Sequence, residues 1–313
     1  MRDLVIAVVG PTAAGKSALA LRLAHAVGGE IVNADSMQLY AGMDIGTAKL
    51  TAAQRQGVPH HLLDVWDIRQ PASVAEYQRL ARAAIGAIQR RGRVPILAGG
   101  SGLYVRAALD PLKFPGTDPQ LRARLEAELA ERGPAVLHAR LTGLDPAAAA
   151  AILPSNGRRI VRALEVIDLS GQPFDATLPE YESVYPEVQI GLAVDRAELD
   201  RMIAGRTARM FTTGLVEEVT GLARVGLREG RTASRALGYA QVLRFLDGEY
   251  SLEEACAQTI LATRRFARRQ EAWFRRDPRV HWLAADAAGL LDQALATIGS
   301  CGSPRATAPR TTL

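Results

Sequence analysis

The sequence predicts an α/β fold in which helices cover both faces of a parallel sheet and a helical subdomain is inserted into the chain. Three observations support this prediction. Strand-like apolar runs alternate with helical periodicity up to residue 114, only helical patterns follow in 115–185, and a strand-like run returns at 188–194. Because such alternation produces parallel strands with right-handed crossovers, we expect the carboxyl ends of the strands to meet at one edge.

Length and composition favour a globular enzyme. The chain has 313 residues, of which 48% are hydrophobic and 5% aromatic, enough for an α/β core plus a second subdomain. No apolar run approaches the ~20 residues that cross a bilayer, and the sequence opens directly on a strand, so we expect a cytoplasmic protein without a membrane segment. The two cysteines, Cys256 and Cys301, are too few for a zinc site.

The core elements follow from local patterns. Apolar, β-branched runs predict strands at residues 4–9, 30–34, 61–65 and 94–98, and a helical stripe from Val74 to Ile88 begins after Ser73 as its N-cap. Further helices are predicted at residues 119–132, 135–141, 146–152 and 158–169. We therefore expect a core formed by residues 1–114 and 186–298, a helical insertion at 115–185, and a disordered tail at 299–313.

A phosphate-binding loop follows the first strand. Residues 10–17 match G-x-x-x-x-G-K-[ST] between a strand and a helix, and the members of the loop are Gly10, Pro11, Thr12, Ala13, Ala14, Gly15, Lys16 and Ser17. Such a loop presents backbone N–H groups and a helix N-terminus to an anion, its lysine reaches outer phosphate oxygens, and its serine hydroxyl commonly binds Mg²⁺. The sequence thus predicts a P-loop NTPase-like core, a diphosphate or triphosphate ligand, and Mg²⁺ at Ser17.

Two further segments are expected at the same sheet edge. Asp35 follows the second predicted strand, and its carboxylate has three open interpretations: an N-cap of the next turn, a magnesium ligand, or a general base. Residues 99–102 (Gly-Gly-Ser-Gly) follow the strand at 94–98 and could form a simple tight turn or permit a close backbone approach, with Ser101 offering a hydroxyl.

A basic segment near the carboxyl end points to a polyanionic partner. The net charge is +5, and seven arginines lie between Arg264 and Arg279, interleaved with Phe266, Trp273 and Phe274. Phosphate contacts by these arginines and plain solvation of an amphipathic helix both remain open. The aromatic side chains fit packing in a core better than stacking on bases.

These motifs, in chain order, resemble those of the bacterial tRNA dimethylallyltransferase family. The resemblance extends from residue 4 to about residue 283 and rests on the blocks at residues 10–17, 35–49, 60–64, 99–104, 159–166, 238–239 and 268–274. It implies transfer of a dimethylallyl group from dimethylallyl diphosphate to N6 of adenosine 37 in tRNAs that read codons starting with U. The implied partners are the tRNA anticodon stem-loop and dimethylallyl diphosphate, and the implied cofactor is Mg²⁺. We expect a monomer without an obligate protein partner.

The resemblance also assigns residues. It makes Asp35 the general base, and it assigns Thr12, Lys16, Ser101 and Arg206 to catalysis around the diphosphate, which residues 10–17 hold. The residues that it implies for tRNA contact are Asp35, Ser36, Met37, Gln38, Ser101, Arg122, Arg158, Arg159, Ile160, Val161, Arg162, Arg235, Gly238, Tyr239, Arg268, Arg269 and Arg275. Arg158 departs from the family's usual glutamine, and Ala240 from its frequent arginine.

Two other classes of function compete with this one. The phosphate loop by itself fits a small-molecule kinase or NTPase, which would bind ATP and move its terminal phosphoryl group. A non-catalytic RNA-binding protein that retains an inactive loop is disfavoured, because Lys16, Ser17 and Asp35 are all intact. Consumption of ATP separates the kinase class from the transferase.

Overall fold

The chain divides into two compact units. A computed structural model describes residues 3–175 and 179–301. The first unit contains Met1–Asp110 and Ser183–Leu313, and the second contains Pro111–Glu182, against a predicted insertion at 115–185. The predicted start of the disordered tail, residue 299, is too early, because residues 299–301 complete the last helix. Residues 302–313 lie outside the described part.

The first unit is built on a six-stranded parallel sheet with the strand order β3-β2-β4-β1-β5-β6. The strands are β1 (Val5–Val9), β2 (Gly29–Asn33), β3 (His60–His61), β4 (Val94–Ala98), β5 (Glu187–Ala193) and β6 (Val280–Ala284). The α/β prediction is therefore confirmed. The strand predicted at 61–65 is reduced to two residues because Leu62 and Asp64 adopt positive φ angles, 63° and 58°, that extended chain excludes.

Twelve α-helices are present in the described part of the chain. Helices of the first unit are α1 (Lys16–Val27), α2 (Val74–Arg90), α3 (Gly102–Leu109), α8 (Arg196–Thr212), α9 (Leu215–Arg224), α10 (Tyr239–Leu246), α11 (Leu252–Phe274) and α12 (Leu290–Cys301). Helices of the second unit are α4 (Pro119–Arg132), α5 (Pro134–Leu144), α6 (Pro146–Ala151) and α7 (Gly157–Ser170). None of these helices is long and apolar enough to cross a membrane.

The packing of the sheet follows from its buried strands. Every residue of β1 is buried, and Ile6 and Val8 belong to a cluster in which Leu19 and Leu23 of α1 and Ala294 of α12 also lie. Helix α2 packs on β2 and β4 through a separate set of buried residues, as its helical stripe predicts. Since all strands are parallel, the loops after β1, β2 and β4 leave the sheet at one edge, where functional residues of α/β proteins gather.

The second unit has its own hydrophobic core. Leu125 of α4, Leu137 and Leu141 of α5, and Ile160 and Leu164 of α7 are buried against one another. Short α6 adds Ala148 and Ala149, and the Asp145 side chain caps it by accepting a hydrogen bond from Ala148 N at 2.9 Å. This unit therefore contains the apolar surface that a compact helical subdomain requires.

Replacement of Leu141 by Ala should destabilise this core. The side chain is 0% exposed, so the substitution removes apolar contacts and leaves a cavity, which costs about 2–5 kcal/mol of unfolding free energy. The measurement is urea denaturation followed by circular dichroism. Leu153→Ala is the control, since Leu153 is 72% exposed and its loss should change the free energy by less than about 0.5 kcal/mol. Equal effects of the two substitutions would contradict the assignment of Leu141 to a core.

Candidate active site

The phosphate loop has the backbone that its glycines permit. Gly10 directly follows β1 with φ 131°, and a Cβ there would lie 3.1 Å from Leu192 O. Gly15 adopts φ 89° as the residue before α1. Only glycine meets both requirements without strain. The loop therefore curls directly into the amino end of α1, which is the arrangement that presents backbone N–H groups to an anion.

Two side chains from distant helices hold Thr12 of this loop. Arg206 of α8 donates from Nη2 to Thr12 Oγ1 at 2.6 Å. Gln270 of α11 accepts a hydrogen bond from Thr12 N through Oε1 at 2.8 Å. The structure thus brings Arg206 to the phosphate loop as the resemblance implies, and it adds Gln270, which lies in the matching block at residues 268–274 without an assigned role.

Asp35 lies in a tight turn directly after β2. Its Oδ1 accepts a hydrogen bond from Met37 N at 2.9 Å, and its own N donates to Asn33 Oδ1 at 2.9 Å. The capping interpretation of Asp35 is therefore confirmed for Oδ1. Within the described residues no donor contacts Oδ2, so the second oxygen is left for a ligand.

Ser101 joins the loop after β4 to the loop after β2. Its Oγ accepts a hydrogen bond from Ser36 N at 3.1 Å and donates to Ser36 Oγ at 3.2 Å, while its N donates to Ala34 O at 3.2 Å. A Cβ on neighbouring Gly99 would overlap the backbone of Ala34. Close approach is therefore the correct interpretation of the Gly-Gly-Ser-Gly segment, and Ser101 holds the segment that carries Asp35.

The charges around the loop are coupled. Burial lowers the pKa of Lys16 to about 8, a shift that the Asp35 carboxylate opposes and the Arg206 guanidinium reinforces. Burial also lowers the pKa of Arg206, again against the pull of Asp35. Lys16 Nζ donates to Pro11 O at 2.7 Å, whereas Arg206 Nε is buried without a hydrogen-bond partner. Two cations that are costly to desolvate thus lie beside one carboxylate, which suits a strongly anionic ligand.

A groove runs beside these residues. It has a volume of about 310 Å³ and is lined by Ala13 of the phosphate loop and by Met202, Gly205 and four charged residues of α8, namely Glu198, Arg201, Arg206 and Arg209. Its lining joins Ala13 of the loop to a helix face that bears three arginines and one glutamate. The phosphate loop is therefore accessible from the side on which Arg206 lies.

The donor set fits Mg²⁺ held jointly with a phosphate ligand. Ser17 is exposed in the first turn of α1, and among the described residues no group of three His, Cys, Asp or Glu side chains could hold a metal ion. Mg²⁺ commonly uses one or two protein ligands and completes its octahedron with phosphate oxygens and water. The Ser17 hydroxyl is the protein ligand that this geometry offers.

The segment after Asp35 is held by buried charge. Lys49 Nζ contacts Asp44 Oδ1 at 2.6 Å and Asp64 Oδ1 at 2.5 Å and donates to Tyr40 O at 3.0 Å. The carboxylate of Glu218, from α9, accepts hydrogen bonds from the backbone N atoms of residues 44–46. Charged side chains of the protein itself thus determine the backbone conformation within residues 35–49.

Similarity to known proteins identifies the family of this chain. The model of the IPP transferase family matches residues 38–277. The chain belongs to the IPP transferase family. A relative in Thermobifida fusca named tRNA dimethylallyltransferase is 68% identical over 94% of both chains, and one of the same name in Salinispora arenicola is 66% identical over 94% of this chain and 86% of that one.

Solved structures agree with the family assignment. The tRNA isopentenylpyrophosphate transferase of Bacillus halodurans is 39% identical, with a TM-score of 0.71 over 96% of this chain and 98% of that one. A eukaryotic dimethylallyltransferase described as acting on tRNA is 24% identical and shares the fold, with a TM-score of 0.83 over 96% of this chain and 80% of that one. The family that the motifs predict is therefore confirmed.

Four of the residues predicted to contact tRNA in this IPP transferase are buried. Tyr239 is 0% exposed, and its hydroxyl donates to Glu218 Oε1 at 2.5 Å, so it supports the loop at 44–46; preceding Gly238 is buried as well. Ile160 and Val161 lie in the core of the second unit. We correct the predicted role of Tyr239, Ile160 and Val161 to packing, because a buried side chain presents no surface to RNA. Gly238 instead supplies a backbone φ of 87° directly before α10.

The remaining predicted arginines differ in how they are held. Arg235, Arg268, Arg269 and Arg275 of the first unit are exposed, as are Arg158 and Arg159 of the second. Arg122 and Arg162 instead both contact the carboxylate of Glu165, which is 0% exposed. Burial alone would raise the pKa of Glu165, but hydrogen bonds from these two arginines bring its pKa below the ordinary value. The exposed arginines present their guanidinium groups to solvent, whereas Glu165 fixes the orientation of Arg122 and Arg162.

The basic segment of this family member is an amphipathic helix and its end. Phe274 is buried, which confirms core packing for this aromatic side chain. Arg264 lies 3.7 Å from Asp200 Oδ1, and Arg279 is paired with Asp110, Asp277 and Glu187, so these two arginines are structural. The other five, Arg265, Arg268, Arg269, Arg275 and Arg276, are exposed.

The affinity for inorganic diphosphate should fall at alkaline pH. Lys16 binds an anion only as the ammonium, and its pKa of about 8 means that the charge is complete below pH 7 and is lost as the pH rises through 8. The dissociation constant should therefore rise up to about tenfold between pH 7 and pH 9. The measurement is isothermal titration with diphosphate at each pH.

Lys16→Arg is the matched control, because a guanidinium keeps its charge throughout this range. The ratio of wild-type to variant affinity at each pH removes the titration of diphosphate itself. A constant ratio from pH 7 to pH 9 would contradict the lowered pKa of Lys16.

Proposed function

We propose that this chain transfers the dimethylallyl group of dimethylallyl diphosphate to N6 of adenosine 37 in tRNAs that read codons starting with U, and releases diphosphate. One observation carries the proposal: Asp35, with one carboxylate oxygen left for a ligand, is electrostatically coupled to the phosphate-loop cations Lys16 and Arg206. The name tRNA dimethylallyltransferase, given to relatives 64–68% identical, supplies the chemistry that this geometry would serve.

The phosphate loop stabilises the leaving group. As the allylic C–O bond breaks, its electron pair remains on the diphosphate, and the loop N–H groups, Lys16 and Arg206 meet the growing negative charge. Thr12 is held by Arg206 and Gln270, so its position is fixed before the substrate binds. Mg²⁺ held by the Ser17 hydroxyl and the diphosphate would supply further charge neutralisation.

Asp35 acts on the nucleophile. The exocyclic N6 of adenine forms the new N–C bond with the allylic carbon and must lose one proton, which Asp35 Oδ2 accepts. Oδ1 is bound to Met37 N, so the carboxylate is oriented while it does this. The products are N6-(dimethylallyl)adenosine, diphosphate and one proton, which balances the reaction.

Recognition of tRNA has an energetic requirement. A base in a stacked anticodon loop must be extruded to reach such a site, at a cost of a few kcal/mol. Exposed arginines on α11 and at its end, together with Arg235, supply phosphate contacts that offset this cost. We take the enzyme to be a cytoplasmic monomer, since one chain contains the loop, the base and the basic surface.

A single incubation distinguishes the transferase from a kinase or NTPase. Purified protein is mixed with unmodified tRNA, radiolabelled dimethylallyl diphosphate, Mg²⁺ and ATP, and both RNA-bound label and ATP hydrolysis are followed. We expect label on adenosine 37 without ATP consumption. ATP consumption without label would return the phosphate loop to the kinase or NTPase class.

In the same assay Asp35→Asn should lower the transfer rate about 100- to 10,000-fold, because an amide cannot accept the N6 proton. The amide oxygen still accepts the hydrogen bond of Met37 N, so the turn and tRNA binding should persist. Asp3→Asn is the control: Asp3 is exposed before β1, at the opposite edge of the sheet, and its replacement should leave the rate unchanged. Full activity of Asp35→Asn would remove Asp35 from the mechanism.

Replacement of Arg268 and Arg269 by Ala should weaken tRNA binding and reduce its salt dependence. Each lost phosphate contact should lower the slope of log K against log salt concentration by about 1. Filter binding between roughly 50 and 200 mM KCl, a range over which electrostatic affinity for nucleic acids falls steeply, measures this slope. Arg93→Ala, exposed just before β4 at the opposite sheet edge, is the control. An unchanged slope in the double variant would exclude these arginines from the interface.

A further inference from the structure

Gln270 connects two loops of the active site from a buried position on α11. The residue is 5% exposed. Its Oε1 accepts a hydrogen bond from Thr12 N at 2.8 Å, and its Nε2 donates to Gly100 O at 2.9 Å. One side chain thus bridges the loop after β1, which is the phosphate loop, and the loop after β4, which carries Ser101.

The side-chain amide of Gln270 is closely surrounded, and its two hydrogen-bond partners determine its orientation. A Cβ on Gly100 would overlap Nε2 of Gln270 and would also lie 3.3 Å from Gly10 O. The partners settle the orientation of the amide, because a backbone N–H must face the oxygen and a carbonyl must face the NH₂ group. A carboxamide offers both an acceptor and a donor from one planar group, and unlike a carboxyl it stays uncharged at every pH of interest.

The bridge determines where Thr12 points. The backbone N–H of Thr12 donates to Gln270, and the Thr12 hydroxyl accepts a hydrogen bond from the Arg206 guanidinium at 2.6 Å. Without the Gln270 contact the peptide between Pro11 and Thr12 could rotate, and the hydroxyl and Arg206 would lose their fixed relation to Lys16. The contact therefore acts on diphosphate binding through Thr12, without a contact to the diphosphate itself.

The same helix also bears exposed cationic residues. Arg268 and Arg269, directly before Gln270, are exposed, while Trp273, one turn later, fills the space that a Cβ on Gly102 would need. Gln270 and Trp273 thus attach α11 to the loop after β4 at two successive points. The helix that presents arginines to solvent is held at the diphosphate site by its opposite face.

We propose that Gln270 is a positioning residue that sets the phosphate loop for diphosphate binding by holding Thr12 N and Gly100 O together. The role in transfer rests on the function proposed above, but the effect on diphosphate binding is measurable without it. Loss of the bridge should weaken the affinity for diphosphate and raise the KM for dimethylallyl diphosphate, with little effect on tRNA affinity, since the exposed arginines remain.

The first test replaces Gln270 by Met, which keeps the length of the side chain and removes both hydrogen bonds. Two neutral hydrogen bonds together correspond to about a tenfold change in an equilibrium constant. We expect the dissociation constant for inorganic diphosphate, measured by titration calorimetry, and the KM for dimethylallyl diphosphate to rise about tenfold. The dissociation constant for tRNA should change less than about twofold.

Gln258→Met is the matched control. Gln258 lies on the same helix and is exposed, and its side chain makes no hydrogen bond among the described residues. The same substitution there should leave diphosphate and tRNA affinities unchanged. Circular dichroism and thermal unfolding of each variant verify that the fold persists.

Gln270→Glu provides a test that a purely structural role would not satisfy. The introduced carboxyl, when protonated, donates to Gly100 O and accepts from Thr12 N as the amide does, whereas the ionised form repels both Gly100 O and the diphosphate. Its loss of diphosphate affinity relative to the wild type should therefore be largest above pH 7 and should shrink as the pH falls toward 5. Comparison at equal pH removes the titration of diphosphate itself.

The outcomes distinguish the two proposals. If the wild type transfers the dimethylallyl group but Gln270→Met binds diphosphate as tightly as the wild type, the positioning role is wrong while the function stands. If the wild type fails to transfer but Gln270→Met binds diphosphate about tenfold more weakly, the positioning role stands and the function is wrong. If Gln270→Met does not fold, a constant ratio of Gln270→Glu to wild-type affinity from pH 5 to pH 8 overturns the positioning role by itself.

Discussion

The close approach of the loops that leave the sheet at one edge is the constraint on which the site depends. Neighbouring strands lie only about 4.8 Å apart, so loops that follow β1, β2 and β4 have little room for side chains between them. Gly99 meets the backbone of Ala34, and Gly10 meets that of Leu192. Ser101 joins two of these loops directly, and the phosphate loop is held further by polar side chains from distant helices, Arg206 from α8 and Gln270 from α11.

Buried charge shapes the segment next to Asp35. The side chain of Lys49 is 3% exposed and is compensated by two carboxylates, and the Glu218 carboxylate is satisfied by backbone N–H groups and by the Tyr239 hydroxyl. Removal of a carboxylate from this set leaves the buried Lys49 ammonium with less compensation and therefore destabilises the segment. Much of the shape of residues 35–49 is thus explained by bonding within the protein, whereas Oδ2 of Asp35 receives no donor from the described residues.

The sequence predicts a secondary-structure element well where a continuous apolar run marks it. The strand at 94–98 coincides with β4, and the phosphate loop, Asp35 and Ser101 meet at one sheet edge because parallel topology puts them there. Arg206 reaches this edge from α8 and was assigned only through the family resemblance. Edge strand β6 was missed, since only Val280 of its five residues is buried and no continuous apolar run marks it. Motif matching has a different limit: it predicts tRNA contacts for Tyr239 and Ile160, which are both buried, because a motif does not tell which side of a helix a residue faces.

Helical geometry explains how one short segment serves two surfaces. Successive residues of an α-helix are rotated by about 100°, so when Gln270 points at the phosphate loop, Arg269 and Arg268 are turned about 100° and 200° away from it. Their exposure is therefore a consequence of the inward contact of Gln270. The sequence shows only a run of arginines interrupted by an amide. The amide defines the inner face of α11, and the inner face determines which cations remain available to an anionic partner.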